Sequence, residues 1–273
     1  SDMVALLKYT KDYFVVPEEH IVVMKADSIT LYTMDGGVEE PKMLHVDWDT
    51  TAAQKGGYDF FMQKEIYDQP EALHNTIMPR IHNGHADFSA DNISDDIFKG
   101  VNRVIVTACG TAWHAGLVGR HLIEAMIRIP VTVELASEFR YMNPILDEHT
   151  LVVVITQSGE TADTLAALKL ANEKGCTTIA VANVLGSSIS READHTIYTC
   201  AGPEIAVAST KAYTTQLIVL LLLGMYISQA LGNENEDYKR IIEGIASLPQ
   251  HIENILKDEK TFEHYASYLK DLK

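Results

Sequence analysis

The stretch TLVVVITQSGETADTLAALKL, residues 150–170, is the clearest indication of how this chain folds. Its apolar, β-branched run LVVVI is typical of a strand that is buried on both faces. The following ADTLAALKL is rich in good helix formers. Between the two lies TQSGET, residues 156–161, which offers three hydroxyl groups, an amide and a glycine. A polar turn between a buried strand and a helix is typical of α/β proteins, whose ligands gather at the carboxyl ends of the strands.

The same alternation of strand and helix continues on both sides of this stretch. Because continuous apolar strands separated by helices indicate a parallel sheet with both faces covered, we predict a doubly wound parallel-sheet αβα sandwich over residues 101–235. The predicted strands are 103–108, 131–136, 151–156, 177–183 and 195–200, and the predicted helices are about 112–128, 161–174, a short helix within 187–194, and about 209–231.

The remaining segments differ in character. We predict a β-rich remnant of another domain in residues 1–47, with strands at 13–16, 20–25 and 28–33, and a linker at 48–60. Residues 61–100 read as a helical segment, interrupted near Pro70, that ends in a polar surface connection over 82–99. Residues 236–273 read as a helical connection. Because the chain opens with SDMVALLKYT rather than a methionine, we expect it to be a piece of a longer protein.

The composition excludes several classes of function. A formal charge of −16 over 273 residues gives no basic footprint for nucleic acid. The longest apolar run, Leu217 to Ile227, is too short for a bilayer and indicates a buried helix. Three cysteines without CxxC spacing favour a reduced, cytoplasmic chain without a zinc cluster. His82 and His85 lack further ligands nearby, so we interpret them as loop histidines rather than a metal site.

The turn TQSGET is predicted to bind a phosphate group. Gly159 permits a tight turn, and the following helix offers unpaired N–H groups and a positive dipole end. The hydroxyl and amide groups of Thr156, Gln157, Ser158 and Thr161 would add donors without any lysine. The alternative is that Ser158 or Thr161 only caps the helix.

Two further strand-end loops carry candidate residues. Cys109, Gly110 and Thr111 follow the first strand, and without an identifiable base Cys109 is not expected to be a nucleophile. In AGPEIAVASTKAYTTQ, residues 201–216, Glu204 lies in a turn and Ser209 is a candidate helix N-cap. Lys211 is either a site residue or a solvated surface lysine. The stretch ASTK lacks the glycines of a P-loop, and the absence of a GxGxxG motif argues against a dinucleotide fold of the usual kind.

Four stretches together resemble a known family. ACGTAWHAG, ELASEFRY, TQSGETADTLAAL and AGPEIAVASTKAYTTQ are similar to the first sugar isomerase (SIS) domain of glutamine–fructose-6-phosphate aminotransferases. KGGYDFFMQKEIYDQPEAL resembles the lead-in to that half of the family's chains, and SDMVALLKYTKDYFVV resembles the end of their glutaminase domain.

The resemblance implies a substrate and a set of site residues. The family converts fructose 6-phosphate and glutamine into glucosamine 6-phosphate, without metal or organic cofactor, and its SIS domains pair as homodimers. Carried onto this chain, the resemblance places the phosphate on Thr156, Gln157, Ser158 and Thr161 and the sugar beside Cys109, Gly110, Thr111, Val207, Ala208 and Ser209, with Glu204 close by.

The chain also departs from the family pattern. Thr156, Ala112 and Ala206 stand where Ser, Ser and Gly are common, and none of these changes removes the phosphate site. The nucleophilic cysteine of the glutaminase half is absent, and so is the second SIS domain, which holds the family's Schiff-base lysine and proton-transferring glutamate. We therefore expect the piece to bind the sugar phosphate but to lack aminotransferase activity.

Two other hypotheses remain at this point. One is a non-catalytic SIS module that senses phosphosugars, although the β-rich segment 1–47 favours the aminotransferase. The other is a dimerisation module that uses the apolar helix 212–231 and the tail helices 238–273 as its contact surface.

Overall fold

The chain divides into two units, one within residues 1–54 and one within residues 55–273. The computed structural model describes residues 9–45, 55–234 and 237–272. Much of the predicted linker 48–60 lies outside the described residues.

Short antiparallel strands make up the first unit. Strand β2 pairs with β3, β3 pairs with β4, and β1 pairs with β5. The strands are β1 Asp12–Tyr13, β2 His20–Met24, β3 Ile29–Thr33, β4 Val38–Glu39 and β5 Leu44–His45. The predicted strands 20–25 and 28–33 are therefore present, whereas the one predicted at 13–16 is reduced to its first residue. Among the described residues of this unit only Leu31 is a buried hydrophobic.

Two helices open the second unit. Helix α1 spans Phe61–Tyr67 and α2 spans Gln69–Ile77, with Asp68 between them. Pro70 lies in the first turn of α2, where its missing N–H costs no helical hydrogen bond. A hairpin of β6 Ile81–His82 and β7 His85–Ala86 follows.

The prediction that residues 82–99 form a surface connection is wrong in one respect. Phe88, Ile93 and Phe98 in this segment are fully or almost fully buried. Both phenylalanine rings pack against the ring of Tyr226. The side chains are isolated apolar anchors in an irregular backbone, so they produce no periodic pattern that would reveal their burial.

The centre of the second unit is a five-stranded parallel sheet in the order β12-β11-β10-β8-β9. Its strands are β8 Arg103–Ala108, β9 Val131–Leu135, β10 Thr150–Ile155, β11 Thr177–Ala182 and β12 His195–Tyr198. The helices between and after them are α3 Gly110–Ile127, α4 Ala136–Phe139, α5 Ala162–Glu173, α6 Ser188–Glu192 and α7 Lys211–Ala230.

Both faces of this sheet are covered, because β10 divides its side chains between two hydrophobic cores. Val153 and Ile155 join the core formed with α3 and α7. Val152 and Val154 join the core formed with α4, α5 and α6. Every residue of β10 is buried, which explains its continuous apolar sequence. The doubly wound αβα sandwich predicted from the sequence is confirmed.

Helix α7 is the long apolar helix of the sequence. It is long and apolar enough to cross a membrane, but 72% of its apolar window is buried inside the protein. It packs on α3 and α2. The hypothesis that it forms a dimer surface is wrong, because these helices already cover it.

The chain ends in α8 Tyr238–Leu256 and α9 Glu259–Leu269. Helix α8 inserts Tyr238, Ile242 and Ile245 into the core beside α7, whereas no described side chain of α9 is buried.

Candidate functional site

A cleft of about 480 Å³ lies at the carboxyl ends of β8 and β10. After β8 the chain first forms β9 on one side of β8 and then β10 on the other side, so the direction of strand addition reverses between β8 and β10. Ligands of open α/β sheets bind at such a switch point. Three loops line the cleft: the β8 loop (residues 109–111), the β10 loop (156–161) and the β12 loop (201–210).

The hydroxyl groups of the β10 loop shape its own backbone. Thr156 Oγ1 accepts a hydrogen bond from the Gly159 N–H at 3.1 Å, and Ser158 Oγ accepts one from the Glu160 N–H at 3.2 Å. In this arrangement both hydroxyl hydrogens remain able to donate. Thr161 is the N-cap of α5 but makes no side-chain capping bond. The capping alternative therefore does not account for its hydroxyl, which lines the cleft.

Two features require a glycine at position 159: the turn itself and the close approach of Ser187. Its φ angle is +68°, in the left-handed region. A Cβ at this position would lie 2.0 Å from Ser187 Oγ and 2.4 Å from Ser187 Cβ. The adjacent Glu160 carboxylate accepts hydrogen bonds from the N–H and hydroxyl of Ser188, both at 2.7 Å. The β10 loop is thus fastened to the start of α6.

Asn183 ties the β10 loop to the β12 loop. Its N–H donates to the Gln157 carbonyl at 3.2 Å. Its side-chain Nδ2 donates to the Gly202 carbonyl at 2.7 Å, and its Oδ1 accepts from the Ala201 N–H at 2.9 Å. Because Asn183 is 4% exposed, these bonds are shielded from water and fix the separation of the two loops.

The β8 loop brings small residues to the cleft. Cys109 is half-buried, and Gly110 has a φ angle of +60° at the start of α3. The Cys109 sulfur lies 4.0 Å from the Thr164 hydroxyl, and no histidine, lysine or carboxylate contact is recorded for it among the described residues. Without such a base, Cys109 is placed to contact a ligand rather than to attack one.

Glu204 orders the β12 loop. Its Oε1 accepts from the N–H groups of Thr210 and Ala212, at 2.9 and 3.1 Å, and its Oε2 accepts from the Ser209 hydroxyl at 2.9 Å. Helix α7 begins at Lys211, so the predicted Ser209 N-cap is wrong. The capping group is a carboxylate five residues upstream of Ser209, which a search for local capping residues does not find.

Lys211 points away from solvent. It is 2% exposed, and its Nζ lies 2.9 Å from Asp68 Oδ2, which also contacts Lys64 at 2.6 Å. The solvated-lysine hypothesis is wrong. Burial alone would raise the pKa of Asp68, but the hydrogen bonds and charges of Lys64 and Lys211 outweigh it and lower that pKa below its ordinary value. Lys211 therefore fastens α7 to the α1–α2 junction and does not line the cleft.

The structure brings all the predicted site residues into one cleft and adds others. Thr164 and Gln216 also line it and are 1% and 2% exposed. Thr164 lies in the first turn of α5, three residues after the N-cap Thr161, a spacing that brings both to one side of the helix and that the sequence could have revealed. No comparable spacing in the sequence indicated Gln216. Ile155, Ala112 and Ala206 complete the lining.

The cleft offers neutral donors to an anion. None of its described lining residues is a lysine, arginine or histidine. Gln157 Nε2 is buried without a hydrogen-bond partner among the described residues, as is Gln216 Oε1. Buried polar atoms are usually paired in folded proteins, so these two are suited to pair with a ligand.

The two histidines considered as metal ligands lie elsewhere. His82 Nε2 is 3.2 Å from the Pro79 carbonyl, and His85 Nδ1 is 3.2 Å from Glu234 Oε1. Within residues 9–45, 55–234 and 237–272, no three potential metal ligands of the His, Cys, Asp and Glu types cluster.

Comparison with known proteins agrees with this geometry. Residues 97–226 match the SIS domain family. A glutamine–fructose-6-phosphate aminotransferase (isomerizing) of Clostridium tetani is 48% identical over 270 residues, 98% of this chain and 44% of that protein. One of Methanosarcina mazei is 42% identical over 269 residues, 97% of this chain and 44% of that protein. Over almost its whole length the chain is a homologue of glutamine–fructose-6-phosphate aminotransferases. The resemblance found in the sequence is confirmed.

Solved structures extend the comparison. The C-terminal domain of the glucosamine-fructose-6-phosphate aminotransferase from Francisella tularensis superposes with a TM-score of 0.74 and 34% identity, over 80% of this chain and 61% of that one. Glucosamine-6-phosphate deaminase from Thermotoga maritima, at 21% identity and a TM-score of 0.54, shares the fold. The chain spans about 44% of the length of the curated aminotransferases it matches.

Proposed function

We propose that the cleft binds the phosphate group of fructose 6-phosphate or glucosamine 6-phosphate. The β10 loop supplies the phosphate donors, from the hydroxyl and amide groups of Thr156, Gln157, Ser158 and Thr161. The observation that carries this proposal is the buried, unpaired Gln157 Nε2 beside three hydroxyls at the strand switch point. An anion held there by neutral donors gains hydrogen bonds in a site of low dielectric, where they are strong.

The sugar ring lies between the β8 and β12 loops in this proposal. Small residues and backbone groups face it, which lets the ring approach the main chain closely. These residues are Cys109, Gly110, Thr111, Val207, Ala208 and Ser209. Thr164 and Gln216 add a buried hydroxyl and a buried carbonyl oxygen as partners for sugar hydroxyls. Glu204 acts indirectly, by holding the β12 loop in place.

The reaction of the whole protein is then the conversion of fructose 6-phosphate and glutamine into glucosamine 6-phosphate. The present residues supply binding, because the ionisable side chains lining the cleft are Cys109, which lacks a base among the described residues, and Glu204, whose two oxygens are engaged. Residues beyond these 273 supply the reacting groups. We propose that the chain alone has no aminotransferase activity and needs no metal or organic cofactor.

We also propose that the protein is a cytoplasmic homodimer. The low cysteine count supports the compartment. With α7 covered, the exposed apolar side chains Phe262, Tyr265 and Leu269 of α9 are better candidates for a contact with another chain.

Calorimetric titration with fructose 6-phosphate tests the proposed function. We expect phosphate-dependent binding, with unphosphorylated fructose giving no heat of association. The double variant Ser158→Ala/Thr161→Ala should weaken binding by about a hundredfold or more, since each of the two lost hydrogen bonds to a charged group contributes about 1.5–3 kcal/mol.

A matched variant, Ser247→Ala/Thr261→Ala, removes the same two hydroxyl types far from the cleft lining, from a half-buried position on α8 and an exposed one on α9, and should bind as the unaltered chain does. Equal weakening by both double variants would contradict the assignment of the β10 loop. Absence of any binding would contradict the proposal that these residues form a phosphosugar site by themselves.

A further inference from the structure

Glu65 is a buried carboxylate outside the SIS domain. It lies on α1, whereas the SIS match begins at residue 97. The residue is 2% exposed, and no ion pair with a described lysine or arginine is recorded for it. A buried charge is costly unless hydrogen bonds compensate it, so its partners indicate what it does.

The partners of Glu65 are backbone N–H groups of the β12 loop. Oε1 accepts from Ile205 at 2.5 Å and from Ala206 at 3.0 Å, and Oε2 is 3.3 Å from the Ala206 nitrogen. These bonds join residues about 140 positions apart in the sequence. Hydrogen bonds from N–H groups to an ionised carboxylate are short and about twice as strong as neutral ones.

The β12 loop depends on such bonds. Its residues 201–210 contain no helix or strand, and Val207 at its tip is fully exposed. Glu204 fixes the side of the loop that enters α7, through Ser209 and Thr210. Glu65 fixes the opposite side, immediately before Val207 and Ala208. Two carboxylates therefore hold the segment that faces the cleft.

The α1–α2 junction reinforces this attachment. Asp68 pairs with Lys211, and the side-chain Oε1 of Gln69 accepts a hydrogen bond from the Thr214 hydroxyl at 2.6 Å. Three side chains of one short segment thus reach the β12 loop and the first turn of α7. The segment is positioned to set the geometry of the loop.

We propose that Glu65 is a positioning residue for the sugar side of the cleft: through the N–H groups of Ile205 and Ala206 it holds Val207 and Ala208 where they contact the sugar. This inference rests on the proposed function. It adds a helix outside the SIS domain to the site that the SIS loops form.

Amide hydrogen exchange tests the attachment without any ligand. In Glu65→Ala, the amides of Ile205 and Ala206 should exchange at least tenfold faster, because the hydrogen bonds that protect them are lost. Exchange in the β10 loop should not change. Glu65→Gln should restore much of the protection, since its carbonyl oxygen can accept from both N–H groups. Glu71→Ala, an exposed glutamate on α2, is the matched control.

Binding tests the consequence for the sugar. We expect Glu65→Ala to weaken fructose 6-phosphate binding about tenfold, as for the loss of one hydrogen bond to a charged group, with Glu65→Gln between it and the unaltered chain. The affinity for inorganic phosphate, which would contact the β10 loop alone, should be unchanged. A merely structural role would weaken both ligands together.

The outcomes separate this inference from the proposed function. If the unaltered chain binds fructose 6-phosphate and Glu65→Ala binds it equally well, the positioning role is overturned and the site stands. Unaltered exchange at Ile205 and Ala206 in Glu65→Ala overturns the role irrespective of ligand. If the unaltered chain binds no sugar phosphate, the proposed function fails and the sugar-positioning role fails with it.

Discussion

At the scale of single residues, the site is built from side chains that hold backbone and leave donors for a ligand. Thr156 and Ser158 both accept from N–H groups of their own loop. Gln157 presents an unpaired amide nitrogen between them. Gly159 determines whether this arrangement can form at all, because its two constraints, the left-handed backbone and the contact with Ser187, are independent.

Replacement of Gly159 separates those constraints. Gly159→Ala should lower the free energy of unfolding by about 1–2 kcal/mol for the left-handed backbone and by about 1–3 kcal/mol more for the collision with Ser187. Gly175→Ala, with φ +77° and nothing within 4 Å of the new Cβ, should lower the free energy of unfolding only by the cost of the left-handed backbone. Urea unfolding measures both. Equal losses in the two variants would show that the Ser187 contact is unimportant, whereas Gly159→Ala/Ser187→Gly should regain the second part.

Asp68 gives the protein a pH-dependent contribution to stability. Its pKa is lowered in the folded state, so the stabilisation is fully present above the ordinary carboxyl pKa and is lost as the pH falls through the folded value. Asp68→Asn leaves Lys211 buried without a carboxylate, which should cost on the order of 3 kcal/mol at pH 7.

Urea unfolding at two pH values checks this prediction. The difference between Asp68→Asn and the unaltered chain should shrink as the pH falls below the ordinary carboxyl pKa and through the lowered folded-state pKa of Asp68. Asp96→Asn, from an exposed pair with Lys99, should change little at either pH. A cost for Asp68→Asn that is the same at both pH values would contradict the ion-pair explanation.

At the scale of elements, the start of α7 is the point where core and site meet. Most of this helix is buried in the core, yet its first turn is capped by Glu204 from the cleft side and tied by Lys211 to α1 and α2. A change in the cap should therefore alter both stability and ligand binding.

Variants of Glu204 test that coupling. Glu204→Ala should lower the free energy of unfolding by about 0.5–2 kcal/mol, as for the loss of a helix cap, and weaken fructose 6-phosphate binding. Glu204→Gln keeps an oxygen for the N–H groups of Thr210 and Ala212 and should retain most of the stability. Urea unfolding and calorimetry on the same samples measure the two effects. A loss of stability without any loss of binding would show that the β12 loop does not depend on the cap.

At the scale of the whole molecule, the second unit extends beyond its SIS domain. Helix α2 and the segment after the hairpin contribute buried side chains to the same core as the sheet, including Leu73, Ile77, Phe88 and Ile93. A chain of residues 55–273 should therefore unfold as cooperatively as the full chain.

A chain of residues 97–273 should not unfold as cooperatively as the full chain. Each buried Leu, Ile or Phe side chain contributes about 1.5–3 kcal/mol, and the loss of four such side chains approaches the total stability of a typical domain, about 5–15 kcal/mol. Near-ultraviolet circular dichroism during urea unfolding distinguishes the two chains. Equal unfolding midpoints would show that the SIS domain is independent of residues 55–96.

A local sequence pattern predicts only those features whose residues are close together in the chain. The strand at 150–155 and the polar turn after it are adjacent in the chain, so fold and candidate phosphate site were both predictable. The burial of Phe88 and Phe98 was not, because isolated anchors have no period. Neither was the role of Glu65, since its bonds cross about 140 residues and an exposed glutamate on a short helix has the same local sequence pattern.

If this cleft binds a sugar phosphate through the β10 loop, the ligand should perturb the amides of that loop more than any others. In a titration of the chain with fructose 6-phosphate followed by amide NMR, we predict the largest shifts at Ser158, Gly159 and Thr161 and at the Gln157 side-chain amide. Smaller shifts should follow in the β8 and β12 loops. Saturating shifts confined to residues outside these three loops would contradict the account.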